Sequence, residues 1–189
     1  MHLKSPAFLI ASICLYSSLY AQNKPLKITD NKKTVLASVE KHQQELIKFS
    51  DQIWGFAETA MKETQSAKVL ADYAEVQGFK VTRGVAEIPT AFIAEFGSGK
   101  PIIGVLGEFD ALPGLSQKAQ PTKEALLNGT PGHGCGHNMF GAASLGAALS
   151  IKELIAAGKL KGTIRFYGTP AEEVWKAMLP DEPPPVHRK

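Results

Sequence analysis

The sequence predicts an α/β fold, with helices packed on a sheet whose strands end at metal-ligating side chains. Three observations predict it. Residues 35–61 repeat their apolar positions three and four apart, as an amphipathic helix does. Ile102-Ile103-Gly104-Val105-Leu106 is apolar without alternation, the pattern of a strand covered on both faces. A helical pattern over 139–157, lined on one side by Gly141, Ala142, Gly146 and Ala147, turns back into a strand-like run over 163–167.

The chain has 189 residues, enough for one domain with a real core. Apolar residues make up 44% and charged residues 21%, which is ordinary for a globular protein. The formal charge of +3 is spread along the chain. No basic stripe is present, so nucleic acid is not an expected partner. Residues 1–21 read as a signal peptide, with Lys4 as the positive start, an apolar segment over 7–15 and a cut after Ala21. Export to the periplasm or outside the cell is expected, with no membrane association once the leader is cut. Residues 22–34 are polar and read as a linker.

The rest of the chain is taken in order. In the first helix, Val35, Leu36, Val39, Leu46, Ile47, Ile53, Trp54 and Phe56 form the apolar stripe, with Asn31 or Thr34 at its start. A second helix opens near Thr64 or Ser66, buries Val69, Leu70, Tyr73 and Ala74, and stops at Gly78, where the left-handed conformation is free. Short strands follow over 79–82 and 90–96, then the apolar strand over 101–107. That strand ends in Glu108-Phe109-Asp110. If the strand continues, both carboxylates face one way and can serve a metal; otherwise one caps a turn and the other is solvated. Residues 115–130 form a polar loop without period.

The loop Gly132-His133-Gly134-Cys135-Gly136-His137-Asn138 comes next. A thiolate and an imidazole two residues apart reach one cation if the backbone bends sharply, and glycine permits the bend. A helix start beyond the loop favours the thiolate form. With the leader removed Cys135 is the sole cysteine, so an exported chain has no internal disulfide to make. Past the strand over 163–167 comes Gly168-Thr169-Pro170-Ala171-Glu172-Glu173. Adjacent carboxylates at the end of a buried strand are costly unless a cation holds them. No internal repeat and no GxGxxG is found.

These three motifs, E-F-D-A-L-P-G, G-H-G-C-G-H-N and G-T-P-A-E-E, in this order and spacing, resemble the zinc-dependent amidohydrolase and exopeptidase family of aminoacylases and carboxypeptidase G. Within the family they resemble most the branch of aminobenzoyl-glutamate hydrolase B-type subunits and their amidohydrolase relatives. The resemblance covers roughly residues 35–173. It implies a three-layer α/β sandwich with a mixed, mostly parallel sheet, and one or two divalent ions, zinc or manganese. It implies Cys135, His137 and Glu173 as metal ligands, Glu172 as the general base and Asp110 as a supporting residue. His133 resembles an outer supporting residue. Many relatives carry histidine where this chain has Glu108, which is left without a role.

The substrate so implied is a small amide: an N-acyl amino acid, an aminobenzoyl-glutamate-like compound or a dipeptide. The family is commonly completed by a lid domain, a homodimer surface and a C-terminal half with further histidines. Residues 174–189 do not resemble it, so the sequence is expected to be truncated there. The proline run over 183–185 forbids helix continuation. His187 reads as a solvated tail residue. Two other readings compete: an inactive fragment lacking the remaining ligands, and a hydrolase using Cys135 as nucleophile with His133 or His137.

Overall fold

The computed structural model describes residues 28–174. The expected leader and most of the expected tail lie outside the described residues. The element order is α1 (Asp30–Phe56), α2 (Thr64–Val76), β1 (Lys80–Arg83), β2 (Phe92–Ser98), β3 (Ile102–Glu108), α3 (His137–Ala156) and β4 (Gly162–Thr169). Short 3-10 turns follow β1 (Val85–Glu87) and β4 (Glu172–Val174).

Helix α1 starts at Asp30, inside the stretch read as linker. Its first turn is polar, so hydrophobic spacing could not mark it. The helix stops at Phe56, short of residue 61, because Ala57 turns to φ 44°. Helix α2 is capped from outside rather than by Thr64 or Ser66. The Glu58 carboxylate accepts the N–H groups of Gln65 (3.0 Å) and Ser66 (2.9 Å). Those are free donors of the first turn, which a carboxylate satisfies well. At the other end Gly78 stops the helix with φ 86°, as expected.

The sheet order is β1-β2-β4-β3. It is mixed, but two of its three pairings are antiparallel and only β3–β4 is parallel. The described strands are therefore less parallel than expected. One face carries Phe92, Ala94, Ile164 and Phe166 into a core shared with Leu70 and Ala74 of α2 and with Leu145 and Leu149 of α3. Phe49 and Ile53 of α1 close the same core. The other face holds the Glu95–Arg165 ion pair, and its residues there are half-buried. Helices α2 and α3 thus pack on this one face of the sheet.

Strand β3 corrects the expectation of burial on both faces. It stands at the sheet edge, and Ile102, Ile103 and Leu106 are exposed. Its apolar composition reported suitability for burial on both sides, not its position among the described strands.

Helix α3 meets the end of β3 closely. A Cβ on Gly141 would lie 2.7 Å from the Glu108 carbonyl oxygen, so only glycine lets this helix approach. By length and composition α3 could cross a membrane, yet half of it is buried inside the fold, as in a core helix.

Away from the strand ends, one polar cluster ties the three helices together. Buried His42 of α1 lies 2.8 Å from the Tyr73 hydroxyl of α2 and 3.0 Å from the Glu153 carboxylate of α3. Lys41 donates to the same carboxylate at 2.8 Å. Burial opposes ionisation of Glu153, but the Lys41 and His42 contacts outweigh it and bring its pKa down from 4.5 to about 2. A depressed carboxyl contributes stability that is present above its unfolded pKa and is lost as pH falls through the folded one. Allowing for partial exposure, the contribution is about 1–2 kcal/mol. Glu153→Gln is expected to lose that amount at pH 7. In urea unfolding, the gap to wild type should close between pH 4.5 and pH 2.

Candidate metal centre

Parallel pairing sets the position of the centre. Because Glu108 pairs with Thr169, β3 and β4 end at the same edge. The carboxyl ends of parallel strands are where α/β sheets place their sites. Glu108 and Asp110 leave β3 there, and Glu172 and Glu173 leave β4 in the 3-10 turn.

Helix α3 starts at this edge. Gly136 takes φ 85°, and that bend turns the chain between Cys135 and His137. His137 is itself the first residue of α3, not a loop residue as the sequence suggested.

His137 is buried at the centre of the group. Its Nδ1 donates to the Asp110 carboxylate at 2.9 Å, with the Asp110 carbonyl at 3.2 Å. That proton fixes the tautomer and leaves Nε2 as the nitrogen for a ligand. Nε2 lies 3.1 Å from Glu108 Oε2, 3.8 Å from Glu172 Oε2 and 3.8 Å from Glu173 Oε1. The ligand atoms of Cys135, His137 and Glu173 all lie within 4.8 Å of one another. Those of Glu108, His137 and Glu172 do so as well. Asp110 is fully buried and accepts a second bond, from the Glu173 N–H, at 2.9 Å. One carboxylate therefore orients both the imidazole and the turn that carries the glutamates.

The electrostatics are those of a site built for a cation. Burial opposes the Asp110 charge, but the His137 bond and the Glu173 N–H outweigh it and hold its pKa below the usual range. The same bond raises His137. Glu108 is raised, first by burial, with Glu172, Asp110 and Glu173 adding repulsion that His137 offsets only in part. Cys135 is also raised, by loss of solvation and then by the Glu173 charge. The carboxylates thus overrule the helix start that was expected to favour the thiolate. Glu173 Oε1 is buried and has no hydrogen-bond partner. An orphaned carboxylate oxygen facing an imidazole nitrogen and a thiol fits a divalent cation with mixed N, O and S donors.

The sequence brought Cys135, His137, Glu172, Glu173 and Asp110 to attention, and the fold gathers all five. His133 is not among them. Its Nε2 bonds the Ile53 carbonyl at 2.9 Å, near the end of α1, and its ring sits beside Trp54. It braces α1 instead of supporting the cluster. Glu108, left without a role by the sequence, proves to be in direct contact with His137. Its place at the end of the strand, two residues before Asp110, was the available signal.

A sequence profile of Peptidase family M20/M25/M40 matches residues 104–180. The B-type subunit of p-aminobenzoyl-glutamate hydrolase from Escherichia coli is 49% identical over 139 residues, 72% of this chain and 28% of that protein. N-acetylcysteine deacetylase from Bacillus subtilis is 31% identical over 119 residues, 62% of this chain and 30% of that protein. The crystal structure of a dinuclear metal-binding peptidase of the M20 family from Bacillus subtilis superposes with a TM-score of 0.60 at 28% identity, covering 71% of this chain and 37% of that one. The chain spans about a third of the length of each relative.

Proposed function

The chain belongs to peptidase family M20/M25/M40, and on that premise we propose that its strand-end cluster holds a divalent cation and hydrolyses an amide bond. The observation that carries this reading is the different burial of two neighbouring glutamates. The Glu173 side chain is 13% exposed and turns its orphaned oxygen inward, whereas that of Glu172 is 52% exposed. A buried carboxylate suits a ligand, and one open to solvent suits proton transfer.

Cys135 Sγ, His137 Nε2 and a Glu173 carboxylate oxygen would hold the ion, zinc or manganese. A divalent cation there would supply a water with a pKa of about 7 and would draw charge from the amide carbonyl. Glu172 takes a proton from the attacking water and passes it to the departing amine. Asp110 holds the proton of the neutral His137 ring on Nδ1, so Nε2 would be the nitrogen offered to the ion. Glu108 adds negative charge on the same side of the imidazole. The substrate is a small amide, either an N-acyl amino acid, an aminobenzoyl-glutamate-like compound or a dipeptide. The leader read over residues 1–21 supports action outside the cytoplasm. Cys135 does not suit a nucleophile: its pKa is raised, and His133 is committed to the Ile53 carbonyl.

Cobalt(II) titration of the 189-residue chain tests the reading. Saturable binding with thiolate-to-cobalt absorption is expected, and hydrolysis of an N-acyl amino acid panel should depend on added zinc or manganese. A chain that binds cobalt no better when folded than when unfolded in urea sinks the proposal.

A further inference from the structure

A buried acid outside the cluster touches the turn that carries it. Glu63 is fully buried, one residue before α2. Its Oε1 accepts the Ala171 N–H at 2.9 Å, 108 residues away along the chain. Its Oε2 accepts the Thr90 hydroxyl at 3.1 Å. Ala171 immediately precedes Glu172 and Glu173.

Ala171 also sits at φ 65°, which a residue with a Cβ adopts at a cost of about 1–2 kcal/mol. Such a conformation persists only where its surroundings hold it. The Glu63 carboxylate is the side chain that holds its N–H. Burying a carboxylate for that purpose is costly and needs its donors in place. Here Ala171 and Thr90 supply a donor to each oxygen, and the backbone at Met61 and Glu63 adds further bonds.

The segment containing Glu63 grips the other strand end too. The Glu58 carbonyl accepts the Ala111 N–H at 2.8 Å, and Thr59 bridges Ala111. Ala111 follows Asp110. One short segment before α2 is therefore bonded to the residue after Asp110 and to the residue before Glu172. That segment thus braces both acid-bearing turns, beside the β3–β4 pairing and the bond from the Glu173 N–H to Asp110.

We propose that Glu63 is a positioning residue that fixes the Glu172–Glu173 turn against Asp110 and His137 through its bond to the Ala171 N–H. The proposal rests on the cation-binding reading given above. The carboxylate touches neither ligand atoms nor substrate and acts through backbone placement. Its length matters more than its charge, because a side chain shorter by one methylene no longer reaches Ala171. Glutamine keeps an oxygen for that N–H and can turn its amide towards the Thr90 hydroxyl, which then accepts.

The test compares Glu63→Asp, Glu63→Gln and Thr90→Val by two readouts. One is cobalt affinity, and the other is hydrogen exchange of the Ala171 amide in the metal-free chain. Glu63→Asp is expected to weaken cobalt binding about ten- to a hundredfold, as loss of an outer support does, and to speed Ala171 exchange. Glu63→Gln should restore both to near wild type. Thr90→Val removes only the donor behind the carboxylate and should give an intermediate loss, which decides the matter if Glu63→Asp does not fold. A folded Glu63→Asp chain with unchanged affinity, or with unchanged Ala171 exchange, overturns the proposal. If the wild-type chain binds no cobalt, it is the cation reading that fails, and the exchange readout still decides whether Glu63 holds Ala171.

Discussion

Cys135→Ala and Glu173→Ala are each expected to weaken cobalt binding by about a thousandfold. Structural zinc sites bind with roughly 10–16 kcal/mol, so one ligand of a three-ligand set carries about 4 kcal/mol. Each 1.4 kcal/mol is a factor of about ten. The two variants should part company in the metal-free state. Cys135 is exposed, and removing its thiol should leave stability within about 0.5 kcal/mol. Glu173 places an oxygen without a hydrogen bond in the interior, beside the charges of Glu108, Glu172 and Asp110 and 3.8 Å from His137 Nε2. Deleting it removes a desolvation cost and should raise metal-free stability by about 1 kcal/mol. Isothermal titration gives the affinities, and urea unfolding gives the stabilities. Wild-type affinity in either variant would mean that the ion is held elsewhere.

That trade-off explains which parts of the molecule the sequence revealed. Cys135, His137 and the Glu172–Glu173 pair were legible because their residue types are costly in a strand-end loop without a cation. Nothing local sets them together; the parallel β3–β4 pairing does that. The core helices were legible from spacing, except the first turn of α1, where Asp30 to Thr34 offers no apolar residue. The edge position of β3 was not legible, since Ile102 and Ile103 describe the strand's chemistry and not its neighbours. Glu63 was hidden among the polar residues that open α2, where an acid is usually a solvated helix-start charge. Only tertiary structure shows its carboxylate closed in by Thr90 and Ala171. His133 misled for the opposite reason. It shares the glycine-rich loop with Cys135, but the chain turns its ring to Ile53.

Asp110 should tolerate neither alanine nor asparagine, although asparagine matches its shape. In Asp110→Ala, His137 Nδ1 and the Glu173 N–H both lose their acceptor inside the fold. Breaking such a buried pair costs about 3 kcal/mol or more. In Asp110→Asn only one oxygen remains for two donors. If the amide oxygen keeps the Glu173 N–H, its NH₂ faces His137 and moves the imidazole proton to Nε2, the nitrogen a cation needs. Cobalt affinity should therefore fall about ten- to a hundredfold in both variants, the scale of lost outer-shell support. The pH dependence separates this from simple unfolding. His137 is raised above 6.5, so its share of the pair's stability is full below that value and is lost as pH rises through the raised one. Asp110 is depressed below 3.8, so its share is present above that value and is lost in acid. The metal-free stability gap between wild type and Asp110→Asn should thus be widest at about pH 5–6 and narrow towards pH 9. A gap independent of pH over that range would show that Asp110 holds the turn without holding the imidazole proton. Side-chain nitrogen NMR of His137 above its raised pKa, where the ring is neutral, gives the second check, with the proton on Nδ1 in wild type and on Nε2 in Asp110→Asn.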